Sequence, residues 1–209
     1  MSAAASTRSL PERVVLATAN RGKLAEVAAI LGPRGVEVVP ADDLVPGWSV
    51  VEDGATFADN ARLKARDLAR RAGLPALADD SGLEVAVLGG RPGVRSARYA
   101  GEDATDAANV ARLLAELRDV PAGRRQAAFH CALALAWPDG RLVEAEGRSE
   151  GTIAVAPRGS GGFGYDPVFL DPESGRTFAE LPAEVKNTRS HRRRALDALC
   201  ARLEAEASP

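Results

Sequence analysis

The sequence predicts an α/β fold built around a mixed, twisted β-sheet with flanking helices. Three observations predict it. The chain opens strand, helix, strand; two later helical stretches carry cap signals; and two long strand-like runs meet at a tight turn, a hairpin that an all-parallel sheet does not contain. At 209 residues the chain suffices for one large domain, expected over 13–209, behind a frayed tail over 1–12.

Taken in order, RVVLAT (Arg13 to Thr18) is a short β-branched strand, and KLAEVAAILG behind it has helical spacing through Leu24, Val27, Ala28 and Leu31. Gly32-Pro33 is expected to stop that helix. VEVVP is the second strand, followed by a polar loop to about Ala55. Thr56-Phe57-Ala58-Asp59 matches a capping box with Asp in place of Glu, so a helix is expected to about Ala72, ending at Gly73. Two strand-like pieces flank Asp79-Asp80-Ser81-Gly82, and Thr105 caps another helix running to about Arg118. RQAAFHCALALAW and RLVEAEGRSEGTI are the hairpin strands, joined by Pro138-Asp139-Gly140. A glycine-rich loop, RGSGGFGYDP, precedes a last helix from Ser190 to about Ala205.

Composition narrows the function classes. With 27 basic and 29 acidic residues the net charge is −2, so no global positive field advertises a nucleic-acid partner. No apolar run reaches signal-peptide or membrane-span length, and Cys131 and Cys200 lack metal-ligand or redox spacing. The expectation is a soluble cytoplasmic protein with two buried thiols.

Several short stretches carry residues suited to chemistry. In ALADDSGLEV the two acids interrupt an apolar run, where an unpaired buried charge costs several kcal/mol. A turn is one reading; a metal or acid/base site at a strand end is the other. In TANRGK, Thr18, Ala19, Asn20, Arg21, Gly22 and Lys23 lead from the first strand into the first turn of a helix. Free N–H groups and the positive dipole end suit an anion there, and a lysine at that position is unfavourable for the helix itself. The alternative is a solvated lysine. Lys64 shares a helix face with Phe57, Asn60 and Leu68, and either reaches the same anion or packs its stem. Glu52 is a hard oxygen ligand or simply a loop acid.

Among only five Phe, two Trp and two Tyr, Phe163 and Tyr165 sit in the glycine loop with Gly164 and Asp166. That is either a base-stacking platform or a tight turn with one aromatic buried beneath it. Lys186, His191 and Arg192 surround the start of the last helix, where a bound anion would offset their conflict with the dipole. Arg193 and Arg194 fit a solvated face, and His130 reads as structural.

Together TANRGK, VEDGATFADNARLKA, ALADDSGLEV, RPGVRSARYAGEDATD, GGFGYDPVF and SHRRRAL resemble the HAM1-like inosine triphosphate pyrophosphatase family, in order, from about Arg13 to Leu199. Its bacterial members are described as dITP/XTP pyrophosphatases. The resemblance implies an elongated mixed α/β structure with a central substrate cleft, a homodimer, and Mg²⁺-dependent hydrolysis of non-standard purine nucleoside triphosphates to monophosphate and pyrophosphate. It implies that Thr18, Asn20, Lys23 and Lys64 handle the triphosphate. Glu52 and Asp80 look like metal acids, with Asp80 also the proton acceptor and Ser81 a substrate contact. Phe163 to Asp166 with Lys186, His191 and Arg192 look like the base and phosphate wall. Strand alternation separates Asp79 from Asp80, so only Asp80 is expected to be catalytic and Asp79→Asn is expected to hurt less. A non-catalytic purine nucleotide sensor and a phosphatase acting at the γ position are the competing readings.

Overall fold

The structure, a computed structural model, describes residues 10–207. The expected tail therefore lies outside the described residues except for Leu10, Pro11 and Glu12. Glu12 is already tied down, its carbonyl accepting from Glu37 N at 2.7 Å.

Strands β1 (Arg13–Leu16), β2 (Glu37–Pro40), β3 (Ala76–Val85), β4 (Gln126–Ala136), β5 (Leu142–Ile153) and β6 (Phe169–Leu170) form one sheet in the order β2-β1-β3-β4-β5-β6. β1 runs parallel to both neighbours, with Val14 opposite Val38 and Leu16 opposite Leu77, whereas β5 and β6 are antiparallel, with Ile153 opposite Phe169. The sheet is therefore mixed, as expected. The helices are α1 (Arg21–Leu31), α2 (Ala41–Leu44), α3 (Phe57–Ala72), α4 (Asp106–Glu116), α5 (Ala183–Arg189) and α6 (His191–Ala207).

Caps place the helices that matter for the site. Asn20 accepts from Lys23 N at 3.0 Å at the head of α1, Thr56 from Asp59 N at 3.1 Å at α3, and Thr105 from Ala108 N at 3.2 Å at α4. Gly73, at φ 66°, closes α3 in the left-handed conformation that glycine adopts without penalty. The β4–β5 hairpin turns where Pro138-Asp139-Gly140 suggests, Trp137 N donating to Arg141 O at 2.9 Å.

The described chain falls into two compact units. The first takes the chain up to Asp80, Ala132–Gly147, and the segment from Arg192 onward; the second takes Ser81–Cys131 and Arg148–His191. The division falls inside β3, β4 and β5. In the first unit the apolar face of α3 (Phe57, Ala61, Ala65, Leu68, Ala69) joins Val15, Ala17, Ala76, Ala78 and the alanines 132, 134 and 136 in one core. The Ala-rich composition of β4, odd for a strand, has its reason here: small side chains let a helix lie close to the sheet. Leu68 is fully buried, worth about 1.5–3 kcal/mol. The second unit has an aromatic core, with the Phe129 ring 4.5 Å from Phe169 and 6.0 Å from Phe178. Both cysteines are buried and unbridged.

Two features differ from the sequence reading. Asp79-Asp80-Ser81-Gly82 is not a turn: β3 runs unbroken through it. Turn propensity loses because partners elsewhere in the chain satisfy both carboxylates. Gly32-Pro33 ends α1 as expected, with Gly32 its C-cap and a 3-10 turn over Gly32–Arg34 following, closed by Gly35 at φ 78°. Finally, α5 precedes the last helix, so Ser190 is the extended residue that ends α5 as α6 begins at His191.

Candidate active site

The first unit gathers two charged clusters, around Asp79 and Asp80 in the middle of β3, beside the loop that follows β1. Thr18 Oγ1 accepts from Asn20 N at 3.1 Å, and Asn20 in turn caps α1, which fixes the loop between β1 and the helix. Ala19, Asn20 and Arg21 are exposed along it, with Gly22 half-buried. Lys23 reaches back across the first turn to Asp79, Nζ to Oδ1 at 2.5 Å.

Asp79 is 1% exposed, and Arg192, also 1% exposed, donates to its other oxygen from Nε at 2.7 Å. Arg192 also pairs with Glu26 on α1. Burial would raise the Asp79 carboxyl, but Arg192 and then Lys23 outweigh it and hold the group well below the usual carboxylate range. Asp79 is thus a permanent anion, enclosed by cations. Arg192 departs from its expected place on an open phosphate wall: its guanidinium sits inside this buried network.

Asp80 has different company. Its Oδ2 accepts from Asn60 Nδ2 at 3.1 Å and its Oδ1 from Lys64 Nζ at 3.2 Å. Lys64 Nζ also donates to Glu52 Oε2 at 3.1 Å and to the Asp79 carbonyl at 2.9 Å. For Asp80 burial wins. The carboxyl is raised above its ordinary range by desolvation, although Lys64, Lys23 and the Asn60 hydrogen bond all pull it down. Lys64 goes the other way, since burial is outweighed by Asp80 and Glu52 and the ammonium is stabilised. The two consecutive acids are thus shifted in opposite directions, Asp79 by its cations and Asp80 by burial.

Glu52 and Asp80 converge on one ammonium, so a cation is what this pair is built to hold. Among the described residues no group of three or more His, Cys, Asp or Glu stands together. Two carboxylates nevertheless suit Mg²⁺, which takes one or two protein acids and fills its remaining positions with water and phosphate oxygens.

In the second unit the loop around Phe163 is organised by Asp166, whose Oδ2 accepts from Phe163 N at 2.9 Å and from Lys186 Nζ at 2.5 Å. The ammonium lies 4.7 Å from the Phe163 ring centroid, a cation–π contact. Gly162, at φ 70°, has no room for a side chain, because a Cβ would fall 2.0 Å from Asp166 Oδ2. Gly164 N donates to Asp106 Oδ2 at 2.6 Å. Phe163 is half-buried.

Tyr165 departs from the expected flat face: it is buried in the aromatic core and its hydroxyl donates to Ser96 O at 2.9 Å. The loop matches the second alternative at Tyr165, an aromatic buried beneath the turn, while Phe163 stays half-buried. His191 is 6% exposed and stacks on Phe129 at 4.7 Å, so its ring also belongs to the core. Ser81 is half-buried on β3 directly after Asp80. The sequence reading missed Glu26, Gly54, Asp106 and the roles of Asn60 and Arg192. Only Gly54 left a signal, a glycine between an acid pair and a helix cap.

With this geometry in place, the comparisons with known proteins agree on one family. A model of the Ham1 family matches residues 14–202, and the chain belongs to that family. It is 55% identical over 188 residues to a protein of Geobacillus kaustophilus (strain HTA426) named dITP/XTP pyrophosphatase, covering 90% of this chain and 92% of that one. It is 50% identical over 190 residues to one of that name in Shigella flexneri, covering 90% and 96%. The fold is similar to the solved Ham1 protein of Staphylococcus aureus at a TM-score of 0.81 and 40% identity, covering 93% of this chain and 99% of that one. Among the described residues no helix is long and apolar enough to cross a membrane.

Proposed function

We propose that the chain hydrolyses non-standard purine nucleoside triphosphates, dITP, ITP and XTP, to the monophosphate and pyrophosphate in the presence of Mg²⁺. The observation that carries the reading is the convergence of Glu52 and Asp80 on one cation position within a Ham1-family chain. The relatives' name, dITP/XTP pyrophosphatase, supports the substrate class.

Glu52 and Asp80 would hold Mg²⁺, which would supply a Lewis acid to offset charge on the phosphate oxygens. Asp80 accepts the proton of the water that attacks the α-phosphorus. Its carboxylate faces Asn60 and Lys64, whereas Asp79 is enclosed by Arg192 and Lys23 and has no oxygen to offer a water. Asn60 keeps one Asp80 oxygen fixed, so the water meets an oriented acceptor. Lys23, Lys64 and the N–H groups of Arg21 and Gly22 draw the triphosphate and spread the charge on the leaving pyrophosphate. Phe163 stacks on the purine, with Gly164, Lys186 and backbone around it. Residues 13–209 act as one functional domain in this proposal, and the resemblance carries with it a homodimer in the cytoplasm.

Stacking does not choose among purines, so selectivity falls to donors that meet the 6-oxo group. Adenine places a donor there, guanine keeps the 6-oxo group but donates from its 2-amino group where xanthine accepts, and such mismatches discriminate by orders of magnitude. On a triphosphate panel kcat/KM for ITP, dITP and XTP should exceed that for ATP and GTP by about 10²-fold or more. Equal turnover of ATP would remove the selectivity argument, and no turnover of any member would favour a nucleotide sensor.

A further inference from the structure

Lys64 stands between the two acids assigned above to the metal. Its Nζ lies 3.1 Å from Glu52 Oε2 and 3.2 Å from Asp80 Oδ1, and its third donor goes to the Asp79 carbonyl at 2.9 Å. An ammonium has three N–H groups, so in this arrangement none remains for a phosphate. The side chain is only 7% exposed. Lys64 is therefore bound into the acid pair and cannot serve a phosphate at the same time.

A divalent cation shared by both carboxylates must approach their oxygens more closely than this ammonium does, because magnesium–oxygen contacts are about 2.0–2.1 Å. Two cations pressed against the same oxygens repel, most strongly at the buried Asp80 and less at Glu52, whose side chain is 35% exposed. Ammonium and divalent cation therefore compete for Glu52 and Asp80. A triphosphate resolves the competition. Its oxygens offer Lys64 replacement acceptors, and the acids become available as the ammonium leaves.

We propose that Lys64 is a resident counter-ion which occupies the Glu52–Asp80 pair until a triphosphate draws it away, so that nucleotide and divalent cation are admitted together. The inference rests on the reading of Glu52 and Asp80 as the metal acids. Two further contacts fit it. The Asp79 carbonyl gives the ammonium a pivot that no metal needs. Asn60, whose Oδ1 accepts from Gly54 N at 2.8 Å, keeps Asp80 Oδ2 in place when Lys64 lets go of Oδ1. The exchange also prevents a stray cation from arming Asp80 before a substrate is present.

The test is Mn²⁺ binding, read by electron paramagnetic resonance on the full-length protein, with and without an α,β-imido analogue of ITP. The native protein should bind Mn²⁺ at least about tenfold more tightly with the analogue than without, as expected when one ligand removes the other's competitor. Lys64→Met, which keeps the buried stem, should bind Mn²⁺ alone at least about tenfold more tightly than native and lose most of the dependence on analogue. Lys64→Arg, which keeps the charge, should bind Mn²⁺ alone as weakly as native. Equal Mn²⁺ affinity of the native protein with and without analogue would overturn the exchange, and so would a folded Lys64→Met that binds Mn²⁺ alone no better. If Glu52→Gln and Asp80→Asn both retain full Mn²⁺ binding with analogue, the metal acids lie elsewhere and the proposal falls with that assignment.

Discussion

Asp79 and Asp80 are neighbours in sequence with unlike surroundings, and the pleat of β3 is the reason. Successive strand side chains point to opposite faces, so one acid meets Arg192 and Lys23 while the other meets Lys64 and Asn60. Removing each charge should therefore fail differently. Asp80→Asn should lower kcat by roughly 10²-fold or more with little change in melting temperature. Asp79→Asn strands two buried cations and should cost about 3–5 kcal/mol of stability. The pH dependence identifies the cause. The folded pKa of Asp79 is depressed, so its contribution is complete above the unfolded value of about 3.9 and is lost as pH falls towards the folded one. Urea melts should show the native protein far ahead of Asp79→Asn at pH 7 and the gap shrinking at pH 3; a gap that stays constant would mean that the Asp79 charge is not what stabilises. Alternation separates the two acids in sequence and ranks Asp79→Asn as the smaller loss of turnover. The stability cost expected here comes from Arg192, an ion-pair partner 113 positions away, which no local pattern reveals.

At the scale of elements, α3 is the piece that builds the site. Its Thr56 cap fixes where the helix starts, and the helical pitch then puts Asn60 and Lys64 on one face, one turn apart. That much was legible in Thr56-Phe57-Ala58-Asp59 and the apolar spacing behind it. The loop before α3 was not. Gly54 N binds Asn60 Oδ1, and a Cβ at Gly54 would lie 2.6 Å from that oxygen. Gly54→Ala should push the Asn60 amide away and cost Asp80 a hydrogen bond of about 1 kcal/mol, a fall of roughly fivefold in kcat. Unchanged kcat in a stably folded Gly54→Ala would show that Asn60 does not orient the acid. The misread of β3 has a general cause: Asp, Ser and Gly favour turns in isolation, and only long-range pairing allows them inside a strand. α5 went unread because Val185-Lys186-Asn187-Thr188 offers no apolar stripe; its Lys186 is recruited instead by Asp166.

For the whole molecule, six short blocks in a fixed order carried more than composition or periodicity did, and they identified the family that the comparisons also return. Each unit holds a charged cluster of its own, Asp79 and Asp80 with their cations in the first and Asp166 with Lys186 in the second. The account requires that water attack the α-phosphorus, and that step can be read directly. Hydrolysis of ITP in H₂¹⁸O, followed by mass spectrometry of both products, should place one ¹⁸O in the monophosphate and none in the pyrophosphate. Label in the pyrophosphate, or release of inorganic phosphate with a diphosphate remaining, would contradict it.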